Sequence, residues 1–270
     1  MKKWLKRILW VCIGVLAYVG ALYLLQNHLL FFPDRTYVSP QEMGAEKFRE
    51  ISLAADDGNP IRLWYAVGDK TKPAVLFLHG NAGQIATFAG QLDVLVQAGY
   101  GVLAMEYRSF AEVPGTIRQT AIFNDAALAF DFLQQQGYPK IVVYGYSFGS
   151  AFAAGLTSLR PADGLILTAP FYSLEREVGD KPVPFAKRVL RDKYPSYRYV
   201  EKFTQPLLII TSKNDRLISC QHAQDLFELS PSAQKEIFVL EEPTHNSLYF
   251  EGSNLPYILK FLADLETSVK

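Results

Sequence analysis

Residues Ile8 to Leu25, ILWVCIGVLAYVGALYLL, run for 18 positions without a charge, Gln, Asn or Pro. As a helix rising about 1.5 Å per residue, this stretch spans roughly 27 Å, close to the ~30 Å hydrocarbon core of a bilayer. Lys2, Lys3, Lys6 and Arg7 precede it, whereas Asp34, Glu42, Glu46 and Glu50 lie beyond it. The positive-inside bias then keeps the N-terminus cytoplasmic and carries the rest of the chain outside, to the periplasmic or extracellular side or an organelle lumen. A cleaved signal peptide is one alternative, but its apolar core is usually about 7–15 residues, and no small-x-small site closes this run. A buried core helix is the other, and it would need polar punctuation that is missing. The reading divides the chain into an anchor at 1–33 and a folded domain at 34–270. Leu29, Leu30, Phe31 and Phe32, ahead of Pro33, are expected at the outer interface, where amphipathic rings collect.

Charge narrows the partners. Lys+Arg and Asp+Glu number 27 each, but four of the bases lie in the first seven residues. The chain after Arg7 carries 23 bases against 27 acids, the wrong sign for neutralising phosphates, so no nucleic-acid partner is expected. The two cysteines, one of them (Cys12) inside the apolar run, exclude a disulfide-stapled scaffold and a cysteine-rich metal module.

Beyond Tyr37, β-rich runs alternate with helical segments. Phe48–Leu53 and Ile61–Val67 flank Asp56-Asp57-Gly58 and read as an antiparallel hairpin. Ala74–Leu78 (AVLFL) is apolar throughout, as in a strand covered on both faces of a parallel sheet. Further strands are expected at Gly101–Met105, Ile141–Tyr144, Leu165–Leu167, Leu207–Ile210 and Ile237–Leu240. Helices are expected near Gln84–Ala98, Thr116–Gln136, Phe148–Leu159, Gln221–Leu229 and Pro256–Leu265. Such alternation specifies an α/β fold with a mostly parallel sheet and helices on both faces. One long connection, about 171–205, exceeds a plain loop and is expected to form a lid. Between Glu175 and Lys202 it holds eight bases, five acids and interleaved aromatic residues. It reads either as a solvated surface segment or as a cap lying against anionic headgroups.

Gly145-Tyr146-Ser147-Phe148-Gly149 follows one apolar strand and opens the helix SFGSAFAAGLTSL, the strand–turn–helix setting of a nucleophile elbow. A serine hydroxyl attacks only when a base takes its proton and a third group orients that base. His245 lies in a loop immediately after the last strand, where a base can overhang the carboxyl edge of the sheet. Asp215 follows Leu207–Ile210 in the same way. The order Ser147, Asp215, His245 is the one such folds use. Of the other histidines, His28 neighbours the membrane segment, His222 reads as solvated on a surface helix, and His79 as structural. Asp163 sits at the wrong end of its strand, and Glu241 and Glu242 are too close in sequence to His245 to orient it. An oxyanion needs two preorganised donors: the N–H of Phe148 and, from His79-Gly80-Asn81-Ala82-Gly83, the N–H of Asn81.

These motifs resemble the α/β-hydrolase superfamily, in particular its single-pass, membrane-anchored serine hydrolases. The likeness covers about Asp34 to Leu265 together with the anchor and Phe31-Phe32-Pro33. It implies an eight-stranded sheet, a short lid and hydrolysis of carboxylic esters or thioesters on a small-molecule or lipid-derived acyl substrate, with no metal or organic cofactor. A serine peptidase on the same three residues, or a non-catalytic tethered binding protein, are the alternatives it leaves. The sequence departs from the family at Glu106-Tyr107-Arg108-Ser109-Phe110-Ala111: Ser109 and Ala111 stand where glycines are usual, so this loop is expected to take less demanding backbone angles. Fold likeness alone does not fix a substrate.

Overall fold

A computed structural model describes residues 3–267; Lys2 of the basic flank lies outside the described residues. Five short apolar runs become strands in which every residue is buried: β3 (Ala74–Leu78), β4 (Gly101–Met105), β5 (Ile141–Tyr146), β6 (Gly164–Thr168) and β7 (Leu207–Ser212). Together with β1 (Arg49–Ala54), β2 (Pro60–Ala66) and β8 (Lys235–Leu240) they form one eight-stranded sheet, ordered β8-β7-β6-β5-β3-β4-β2-β1. The pairs β1–β2 and β2–β4 are antiparallel and all others parallel. The expected architecture is therefore present.

Because side chains alternate across a strand, successive residues divide into two layers. Leu76, Leu103, Val143 and Leu165 face one way, packing with α3 (Gln119–Gln135), α4 (Phe148–Leu156) and α7 (Cys220–Leu229). Val75, Val102, Val142 and Ile166 face the other, against α2 (Ala89–Gln97) and α9 (Leu255–Thr267). The chain leaves β3 for β4 on one side and returns to β5 on the other. The carboxyl ends of β3 and β5 thus flank a topological switch point, where open α/β sheets place their ligand crevice.

The connection at 171–205 carries two short helices, α5 (Leu174–Gly179) and α6 (Ser196–Val200), with a 3-10 turn at Ala186–Arg188 between them. His222, expected in solvent, is buried. Its Nδ1 accepts the Tyr172 amide at 3.0 Å and its Nε2 lies 3.1 Å from Asp180, so it ties α7 to the lid.

The apolar run lies within α1 (Lys3–Leu30), which extends beyond it through Gln26, Asn27 and His28. No part of its most apolar window is buried, which removes the core-helix alternative. Phe31, expected with its neighbours to face the outer interface, is instead enclosed by the domain: it is 5% exposed, its ring centroid 4.6 Å from that of Phe148. Phe32–Pro33 pair in parallel with Ala82–Gly83, a small ladder that the sequence pattern does not announce.

The loop after β4 also departs from expectation. Ser109, Ala111 and Glu112 adopt φ of 72°, 43° and 63°, so the left-handed angles persist without glycine. Surrounding contacts hold them there. Ala111 donates its amide to the Asp34 carbonyl at 2.8 Å, and Ser109 hydrogen-bonds Val113 and Gly115. Arg108 clamps buried Asp125 at 2.7 and 2.8 Å. Each left-handed non-glycine residue costs about 1–2 kcal/mol, whereas glycine adds about 0.5–1 kcal/mol of chain entropy. Glu112 is exposed, so Glu112→Gly should stabilise the protein by roughly 0.5–1 kcal/mol. Thermal unfolding in detergent should show a raised midpoint; a lowered one would mean that the residue-112 side chain itself supports the turn.

Candidate active site

Ser147 caps α4 with φ 53° and ψ −119°, a sparsely populated region. The turn holds because its neighbours permit close approach. A methyl group on Gly149 would meet the carbonyl oxygens of Leu78 and His79, and one on Gly145 would meet the Gly149 carbonyl. The Ser147 amide, absent from the helix ladder, donates to Thr168 of β6 at 2.8 Å. The serine is thereby pinned at the carboxyl edge of the sheet.

His245 arrives from the other side of that edge. It is not in a loop but is the first residue of a short helix, α8 (His245–Phe250), whose start is capped by Thr244 and Ser247 in a reciprocal pair. Its Nε2 lies 2.9 Å from Ser147 Oγ and its Nδ1 2.7 Å from Asp215 Oδ2. The second carboxylate oxygen of Asp215 accepts the amides of Leu217 and Ile218 at 2.8 and 2.9 Å. Asn214 donates to the Glu242 carbonyl at 3.0 Å and Ser212 to that of Pro243, stapling the Asp215 loop to the approach of α8. Tyr146 donates its hydroxyl to the His245 carbonyl at 3.1 Å. Burial pushes that phenol's pKa well up, with the Asp215 charge adding to it, so the hydroxyl keeps its proton as a donor. The sequence pattern does not single out Tyr146 as a support, although it stands inside the elbow motif.

The competing carboxylates lie elsewhere. Asp163 accepts the Ile141 amide at the amino end of β5, and Glu241 pairs with Lys213 in solvent. His79 is structural: its Nε2 is 2.9 Å from buried Glu106, whose other oxygen accepts the Ile85 amide. Tyr107 donates to the His79 carbonyl at 2.7 Å. This buried network shapes the loop that carries Asn81. A Cβ at Gly80 would lie 3.5 Å from that of Ser147, so the loop runs directly beside the serine. Phe148 supplies the first amide of α4, which has no acceptor within the helix.

Ser147, His245, Asn81 and Phe148 open on a cavity of about 320 Å³, walled by apolar side chains that include Leu29, Leu30, Phe171 and Val178. A larger cavity, about 1060 Å³, lies at the opposite edge of the sheet around Arg160, Asp163 and Pro206. Among the described residues, no cluster of three His, Cys, Asp or Glu side chains could hold a metal.

The family model for Serine aminopeptidase, S33 matches residues 69–199, which include Asn81, Ser147 and Phe148 and stop short of Asp215 and His245. An uncharacterized protein of Mycobacterium tuberculosis is 28% identical over 236 residues, covering 85% of this chain and 83% of its own. An uncharacterized membrane protein of Saccharomyces cerevisiae is 26% identical over 262 residues, covering 91% and 92%. A lysophosphatidylserine lipase of Danio rerio is 23% identical over 239 residues, covering 72% of this chain and 62% of the lipase. Among solved structures, an esterase of Pyrococcus furiosus superposes with a TM-score of 0.71 at 18% identity, covering 87% of this chain and 97% of its own. That last likeness speaks to the fold.

The contact between α4 and the end of β3 is between backbones and cannot yield. Gly149→Ala should therefore destabilise the protein by about 3 kcal/mol or more. Ser150→Ala, which removes one hydrogen bond to the Ser147 carbonyl, should cost about 1 kcal/mol. Thermal midpoints of the two purified variants make the comparison; equal midpoints would contradict the steric account.

Proposed function

We propose that the chain, which matches the serine aminopeptidase S33 family model over residues 69–199 and shares the α/β-hydrolase fold of solved esterases, is a membrane-anchored serine hydrolase cleaving carboxylic esters or thioesters of acyl groups. The observation that carries this reading is the relay Ser147–His245–Asp215, with spacings of 2.9 and 2.7 Å, opening onto an apolar cavity. In the proposed cycle, Ser147 Oγ attacks the acyl carbonyl while its proton passes to His245 Nε2. The amides of Phe148 and Asn81 hold the oxyanion. The tetrahedral adduct then collapses, the leaving oxygen or sulfur taking the proton from His245. Water, deprotonated by His245, attacks the acyl-serine ester and frees the acid and the serine. Asp215 keeps the imidazole in the required tautomer throughout and stabilises its protonated form.

The anchor corresponds to residues 1–33 and the catalytic domain to 34–270, with the lid at about 171–205. The Lys3–Leu30 helix and the membrane-protein relative support an anchor. The basic flank at Lys3, Lys6 and Arg7 orients it with the N-terminus cytoplasmic and the domain on the other side.

The family model's description raises a second reading, a serine aminopeptidase. Such an enzyme needs a free carboxylate to grip the substrate amine. The carboxylate on the cavity wall, Glu177, is already engaged by Lys181 at 2.9 Å and by His222 at 3.5 Å. The remaining wall is mainly apolar, which favours an acyl chain.

A fluorophosphonate probe should label the wild type and not Ser147→Ala. Ser147→Ala and His245→Ala should lower kcat on p-nitrophenyl esters by roughly 10⁴-fold or more, and Asp215→Asn by about 10³–10⁴-fold. A folded wild type that resists the probe would favour the non-catalytic reading. Faster turnover of aminoacyl p-nitroanilides than of esters would favour the peptidase.

A further inference from the structure

The lid runs alongside the anchor helix. The face of α1 turned toward the domain carries Val19, Leu22, Gln26, Asn27 and Leu30, spaced at helical intervals. The Arg191 amide donates to Gln26 Oε1 at 2.9 Å, Gln26 donates to the Val189 carbonyl, and the Tyr18 hydroxyl donates to the Pro184 carbonyl at 3.1 Å. The contacts at Tyr18 and Gln26 are eight residues apart, about 12 Å along a helix. Tyr18 lies well inside the apolar run that ends at Leu25, so a bilayer thick enough to cover that run also reaches the lid at Pro184.

The lid is built for that depth. Pro182-Val183-Pro184-Phe185 is an apolar tip, with Val183 42% and Phe185 45% exposed. Exposed Lys181 precedes the tip, and Lys187 and Arg188 come after it. An apolar wedge collared by bases is the pattern of a segment lying in the headgroup–acyl boundary of an anionic leaflet. Leu217, 56% exposed, continues the patch and lines the cavity that holds Ser147. Leu29 and Leu30 of α1 line the same cavity. They stand four and five residues past Leu25, only about 6–8 Å above the end of the apolar run.

We propose that the lid tip is inserted in the leaflet next to α1 and that the site takes its acyl substrate, a bilayer-resident lipid ester, sideways from that leaflet. The substrate class rests on the hydrolase reading above; the insertion of the tip does not. A chain lying in the leaflet reaches Ser147 between the end of α1 and the lid without crossing water.

The test uses the full-length chain in phosphatidylcholine–phosphatidylglycerol vesicles, with Cys12 and Cys220 replaced by Ala. An environment-sensitive fluorophore on Phe185→Cys should shift to the blue and be quenched by lipids brominated on their acyl chains. An emission like that in water, unaffected by the bromolipid, overturns the insertion. The double variant V183D/F185D should hydrolyse 4-methylumbelliferyl oleate dispersed in the vesicles at least about fivefold more slowly, while its rate on soluble p-nitrophenyl acetate stays within about twofold of wild type. Equal rates on the vesicle-borne ester overturn lateral entry. If the wild type hydrolyses neither ester, the hydrolase reading and the lateral entry that rests on it both fall, and the fluorophore still decides whether the tip is inserted.

Discussion

Everything at the carboxyl edge of the sheet depends on how closely the first turn of α4 approaches the end of β3. Gly149 makes that approach possible, Gly145 lets the same turn fold closely over the end of β5, and the left-handed Ser147 lies between them. Backbone strain of this kind costs about 1–3 kcal/mol and persists only where the surroundings over-determine it. Here the flanking strands supply the constraint. The five central strands are buried on both faces, and Ser147 is hydrogen-bonded to the neighbouring strand β6. Hydrophobic burial over the whole sheet, spread through two layers, offsets the local cost at one residue.

The partners of the serine are positioned by a different means. Asp215 and His245 come from separate connections, each just past its own strand, and side chain-to-carbonyl hydrogen bonds join the two. Asp215 is satisfied on both oxygens, by an imidazole on one and two amides on the other. A buried carboxylate with that many donors stays in place, because leaving any of them unmatched in a dry environment is costly. The histidine ring is thereby held toward the serine; in the proposed reaction this would leave little reorganisation for the chemical step.

Much of this is legible in the residues. Runs such as AVLFL and IVVY admit few structures other than doubly covered strands, and the elbow is marked by strand, glycines and helix together. The features that escape such a reading depend on partners distant in the chain. His222 lies on a helix whose sequence reads as a surface one; its burial comes from a lid segment some fifty positions earlier. Helix α8 begins at His245 through a Thr244–Ser247 capping pair that lacks the acidic residue by which such starts are usually read. Phe31 comes after an apolar run and reads as membrane-facing, yet it finds the Phe148 ring. Ser109, Ala111 and Glu112 show that hydrogen bonds from outside a loop, one of them to Asp34, can enforce angles that local propensity disfavours.

The passage from α1 into the domain contains no hinge. The helix ends at Leu30; Phe31 is enclosed, and Phe32 and Asp34 are hydrogen-bonded to the Asn81–Gly83 segment at 2.8 and 3.0 Å. Each helical residue turns the path by about 100° and raises it by about 1.5 Å. Deleting a single residue between Leu25 and Phe31 would therefore swing the entire globular body around its stalk and lower it. The number of residues between Leu25 and Phe31 thus acts as a gauge that sets both the distance and the compass bearing of the cleft relative to the apolar run.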